Sequence, residues 1–175
     1  MSIGLVTGGA SGIGKAIAER LAADGCTVVF TDIDAKAGQA TASACGLAFI
    51  RQDVADESSW SAVLDEVESR YGPLTILVNN AGTLGGVVES FDPEHISLET
   101  WRRTFRVNVE GTFLGCRAGI RVMRASGVRP SRGYAARARE NDAPAASSLR
   151  ARSATRASAS SADVRVKRAS YSCGA

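Results

Sequence analysis

Apolar positions along residues 3–124 switch between two periods. Short runs of aliphatic and β-branched residues alternate with stretches whose apolar side chains return every three or four positions. Ile3–Thr7 is one such run and predicts a strand. Gly12–Ala23 sets Ile13, Ala16, Ile17 and Leu21 on one helical face, with Gly25 placed to end that helix. Thr27–Thr31 predicts a second strand, Ala35–Ala44 a short helix, and Leu47–Arg51 a third strand. Glu57–Arg70 repeats Trp60, Val63, Leu64 and Val67 at helical spacing until Gly72-Pro73 stops it. Leu74–Asn79 predicts a fourth strand. Ser97 is placed to cap a long helix running to about Arg124, with Ile96 and Trp101 positioned as a hydrophobic staple. Strands alternating with helices imply βαβ units. Right-handed crossovers then give the α/β class, a doubly wound parallel sheet covered on both faces.

The pattern stops near residue 126. In the remaining 49 residues, 127–175, thirteen Ala, nine Arg and nine Ser account for most positions. The aliphatic residues there are Val128, Leu149, Val164 and Val166. So little apolar surface does not offset the entropy of ordering the chain, which predicts a disordered or weakly helical basic tail. That tail carries +7, so residues 1–126 carry −4 of the formal net charge of +3. An arginine-rich tail raises nucleic-acid binding, but only Tyr134 and Tyr171 supply aromatic rings to it, which argues against that use. The expected organisation is a nucleotide-binding region, residues 1–126, followed by the tail, residues 127–175.

Composition adds little beyond this. A hydrophobic share of 45% with 22% charged residues fits a globular domain that has no apolar run near the ~18 residues of a membrane span. The N-terminus has no basic stretch before an apolar one and so does not read as a signal peptide. Cys26, Cys45, Cys116 and Cys173 are scattered without metal-ligand spacing, which predicts reduced thiols in a cytoplasmic protein.

The chemistry gathers at the first strand–helix junction. Thr7-Gly8-Gly9-Ala10-Ser11-Gly12-Ile13-Gly14 lies between a predicted strand and a predicted helix. Glycines there allow a tight turn and a close backbone approach to a pyrophosphate, while the helix N-terminus offers N–H donors. Asp32, ending the second strand, can accept both hydroxyls of an adenosine ribose and would repel a 2′-phosphate, which predicts NAD as cofactor. Asp34 is a rival two positions on. Gly9–Lys15 also spells most of a phosphate-binding loop of NTPases, but residue 16 is Ala where that loop needs Ser or Thr for Mg²⁺.

The spelling Thr-Gly-x-x-x-Gly-x-Gly at Thr7–Gly14 resembles the short-chain dehydrogenase/reductase family. Asn79-Asn80-Ala81-Gly82 after the fourth strand, Asp53-Val54 after the third, and Val107-Asn108-Val109-Glu110-Gly111 on the long helix match further signatures of it, in order, over residues 1–126. The resemblance implies a Rossmann-type sheet. It implies that Gly8, Ser11, Gly12, Ile13 and Gly14 cradle the pyrophosphate and that Asp32 holds the ribose. By the same resemblance Asp53 and Val54 flank the adenine, and Asn80, Ala81 and Gly82 line the cleft. Asn108 would be catalytic, anchoring a water of a proton relay. Read from the residue alone, Asn80 could equally brace nearby backbone, and Asn108 could be a satisfied polar residue in mid-helix.

The implied reaction is NAD-dependent interconversion of a secondary alcohol and a ketone. The family's acid/base is a Tyr with a Lys four residues later, helped by a Ser. Here Tyr71 is followed at that spacing by Thr75, Tyr134 by Ala138 and Tyr171 by Ala175. The sheet is therefore expected to be incomplete, with the fourth strand exposed, and the helices through which such enzymes form homo-oligomers to be missing. A tail of this composition is what a GC-rich gene gives when read out of frame. The expectation is a truncated family member, by descent an NAD-dependent alcohol–ketone oxidoreductase; the alternatives are a catalytically inert NAD-binding module or a non-functional fragment, and for the tail a genuine divergent basic extension.

Overall fold

The computed structural model describes residues 2–84, 93–128 and 135–137, all within one unit spanning residues 1–140. Its strands are β1 (Ile3–Thr7), β2 (Thr27–Asp32), β3 (Ala48–Arg51), β4 (Ile76–Val78) and β5 (Ala135–Arg137). The helices are α1 (Gly12–Ala23), α2 (Ala35–Cys45), α3 (Glu57–Tyr71), α4 (Leu98–Phe105) and α5 (Gly111–Ala125). A π-helical turn, Arg106–Glu110, joins α4 to α5.

The sheet order is β3-β2-β1-β4-β5. The pairs β1–β2, β1–β4 and β2–β3 are parallel, with Leu5 opposite both Val29 and Leu77. Alternation along each strand therefore feeds two cores. Leu5, Val29 and Leu77 face Trp60, Val63, Leu64 and Val67 of α3 and Met123 of α5. Val6, Phe30 and Val78 face Ala18 of α1 and Ala42 of α2. This is the Rossmann-like arrangement expected for continuously apolar central strands.

Three differences from the sequence reading have physical causes. Ile13 and Ala16 are exposed, and α1 instead packs through Gly14 and Ala18, with Ile17 and Leu21 half-buried. Small residues bring this helix close to the sheet, so the buried stripe is not the most hydrophobic one. The long helix is interrupted by the π turn, which apolar spacing does not reveal. Finally, β4 is not an open edge. Ala135–Arg137 pairs antiparallel with it, Leu77 opposite Ala136. Main-chain hydrogen bonding needs no apolar side chain, so composition gave no sign of β5. Gly127, with φ +77°, ends α5, and Val128 returns its N–H to the Met123 carbonyl at 2.7 Å. Residues 129–134 and 138–175, where the remainder of the expected disordered tail falls, lie outside the described residues.

Candidate dinucleotide site

Strand order reverses between β1 and β4. The segments leaving their C-terminal ends diverge there and open a crevice, the usual ligand site of such sheets. The resulting cleft has a volume of about 680 Å³, within the range of small-molecule and cofactor sites.

One wall is the loop after β1. Gly8 adopts φ +67°, and a Cβ there would lie 2.8 Å from the Ala81 Cα. At Gly14 a Cβ would collide with the Gly8 carbonyl and the Asn80 side chain. Glycine is thus required where the loop folds back on the start of α1. Ser11 occupies the N-cap of α1 and makes no side-chain cap bond, and Ser11, Gly12, Ile13 and Gly14 line the cleft, so the positive end of the helix dipole borders it. Ile13, 64% exposed, lines the mouth.

The segment after β4 braces that loop. Asn80 donates its side-chain amide to the carbonyls of Thr7 and Gly8 at 3.0 and 3.1 Å. The Thr7 hydroxyl accepts the backbone N–H groups of Asn80 and Ala81. In this geometry Asn80 is a clamp on the glycine loop as well as part of the cleft wall.

At the far end, the carboxylate of Asp32 accepts from the N–H of Ala10 at 3.1 Å through one oxygen and from that of Asp34 at 3.1 Å through the other. An ionised carboxylate offers about four acceptor positions, so capacity for ligand hydroxyls remains. Asp34 instead caps α2 through Ala37 and does not line the cleft. Asp53 accepts from Ala55 N at 2.9 Å, and the carbonyl of Val54 accepts the indole N–H of buried Trp60. Both residues line the cleft with Asp32. Lys15, central to the NTPase alternative, pairs with Glu19 on α1 and lies outside the lining.

Asn108 sits in the π turn. Its side chain accepts from the N–H of Thr83 at 2.8 Å and donates to the carbonyl of Thr83 at 2.9 Å. The satisfied-polar reading thus has a specific content: Asn108 ties α4–α5 to the segment leaving β4. The structure also adds residues that sequence reasoning missed. Gln52 and Thr31 border the cleft beside Asp53 and Asp32, and Arg103 and Arg106 line it from α4 and the π turn. Spacing three apart on a helix could have flagged the arginines. Nothing local flags the Thr31–Gln52 pair.

The family model for short chain dehydrogenases matches residues 2–133, slightly beyond the motif-bearing region. The chain belongs to the short-chain dehydrogenase family. It is 40% identical over 127 residues to a 3-beta-hydroxysteroid dehydrogenase of Comamonas testosteroni, covering 71% of this chain and 48% of that one. It is 37% identical over 133 residues to an NADP-dependent (R)-specific alcohol dehydrogenase of Lentilactobacillus kefiri, covering 74% and 51%. A crystal structure described as ribose-5-phosphate isomerase from Brucella melitensis superposes with a TM-score of 0.64 at 35% identity, over 71% of this chain and 48% of that one. The chain spans about half the length of the curated relatives it matches. No helix among the described residues is long and apolar enough to cross a membrane.

Proposed function

We propose that this chain is an NAD(H)-binding module of the short-chain dehydrogenase family. It retains the cofactor platform for alcohol–ketone interconversion and lacks the acid/base that completes the reaction. The observation that carries the reading is Asp32, fixed by two backbone N–H groups on the cleft wall. A carboxylate there rewards two ribose hydroxyls and repels a 2′-phosphate. Around it, Gly8, Ser11, Gly12, Ile13 and Gly14 would receive the pyrophosphate. Asp53 and Val54 would flank the adenine, while Asn80, Ala81 and Gly82 would form the inner wall. When bound, the nicotinamide would supply or accept the hydride.

The alcohol proton needs an acid/base. Tyr71 ends α3 and packs against the core, away from the cleft lining, while Tyr134 and Tyr171 lie outside the described residues. Asn108 would support a relay only if a donor stood beside it, and the chain has no Tyr-x-x-x-Lys. An out-of-frame origin for residues 127–175 fits this loss, and the coding DNA tests it: another frame should read strand, Ser-Ser and then Tyr-x-x-x-Lys. Scattered thiols fit a cytoplasmic protein, and a homo-oligomer would follow the family habit.

A second reading, NADP, is favoured by Arg103 and Arg106, which line the same cleft and carry guanidiniums able to pair with a phosphate. Titration of NADH and NADPH into the full chain separates the two. Tighter NADH binding, with the gap narrowed by Asp32→Ala, supports the first. Equal or tighter NADPH binding, weakened by Arg103→Gln with Arg106→Gln, supports the second.

A further inference from the structure

Behind the two acidic residues of the cleft lies a buried polar pair that the cofactor reading does not use. The hydroxyl of Thr31 donates to Oε1 of Gln52 at 2.7 Å across β2 and the end of β3. The backbone N–H of Gln52 donates to the carbonyl of Asp32 at 2.9 Å, continuing the ladder beyond its last register pair, Asp32 opposite Arg51. Thr31 is fully buried and Gln52 is 2% exposed, yet both border the cleft. Thr31 directly precedes Asp32, and Gln52 directly precedes Asp53.

The other end of this Gln52 side chain is out of place for a merely structural residue. Among the described residues its Nε2 is buried without a hydrogen-bond partner. Leaving a buried donor unpaired is unfavourable, whereas apolar residues of similar shape at both positions would be close to neutral. Departures from local packing rules of this kind gather at functional positions.

We propose that Gln52 is a positioning residue that, clasped to Thr31, fixes Asp32 and Asp53 relative to each other and so sets discrimination at the adenosine end. This rests on the dinucleotide reading. Two ribose hydroxyls can bond one carboxylate only if it is held in place. A loosened Asp32 loses those bonds and also turns more easily from a 2′-phosphate. Gln52 acts through its neighbours and need not touch the ligand.

The test uses the full chain with Gln52→Leu, Thr31→Val and the double variant, titrated with NADH and NADPH by fluorescence alongside thermal melts. Gln52→Leu should weaken NADH binding roughly tenfold, about what one hydrogen bond contributes, and NADPH binding less, so the NADH:NADPH ratio contracts. The melting temperature of the double variant, which leaves no orphaned hydroxyl, should hold or rise. The double variant should match Gln52→Leu, because both break one clasp. Unchanged affinities, or parallel losses for both dinucleotides that follow a lowered melting temperature, would overturn the inference while leaving the dinucleotide reading intact. A wild-type chain that binds neither dinucleotide overturns both.

Discussion

Helices α3 and α4 carry apolar side chains at similar helical spacing and meet opposite fates. In α3, Trp60, Val63, Leu64 and Val67 are all buried against the sheet. In α4 no residue is buried, and Leu98, Trp101 and Phe105 are exposed, the last two with rings 4.6 Å apart. The first helix closes the core behind Asp53 and Val54. The second runs into the π turn, where Asn108 ties the chain to the backbone of Thr83. The side of α3 is finished within itself, and the side of α4 is left unfinished, with its apolar side chains exposed among the described residues.

The largest effect should come from the finished side. Trp60→Ala removes a fully buried ring and its hydrogen bond to Val54, and should lower stability by about 3–5 kcal/mol. Denaturant unfolding followed by circular dichroism checks this, and a cost below about 1 kcal/mol would mean that α3 is not the anchor described. Next comes Gly14→Ala, where the new methyl meets the backbone of Gly8 and the Asn80 side chain. Overpacking of this kind costs about 1–3 kcal/mol, and NADH binding should be lost in titration because the loop must move.

The contrast between the helices also marks what was legible in the sequence. Periodicity sufficed for α3 because burial and spacing agree there. It failed at Ile13, where a residue on the apolar face of α1 borders the cleft. It also failed at the π turn, which inserts Asn108 toward Thr83 without altering the run of residue types. Asp32 and the glycine loop could be read because their chemistry is contiguous with one strand and one helix. The Thr31–Gln52 clasp could not, because it depends on a register between segments twenty-one positions apart. The pairing of β5 depends on backbone alone.

Smaller effects should come from the unfinished side. Asn108→Ala deletes two bonds to the Thr83 backbone at an exposed position and should cost about 1 kcal/mol. Faster amide exchange at Thr83 in the variant is the specific readout, and an unchanged rate would separate Asn108 from that segment. Smallest of all, Trp101→Ser should shift stability by less than about 0.5 kcal/mol, since the ring is 54% exposed. Sedimentation of wild type and variant would show whether that ring is covered in solution. A substantial loss of stability at concentrations where the wild type self-associates would mean that α4 finds its cover in a second copy.

Binding of NAD(H) without turnover is the behaviour expected of this chain. It is tested most directly by following absorbance of NADH with the purified full chain, saturating NAD and a panel of secondary alcohols. No turnover above the protein-free rate is expected, because the sequence has no Tyr-x-x-x-Lys to supply general acid–base catalysis of ~10²–10⁴-fold. Turnover at about 1 s⁻¹ or faster, within the usual enzyme range, would contradict it and place a proton donor in the cleft that the Tyr and Lys positions of this sequence do not account for.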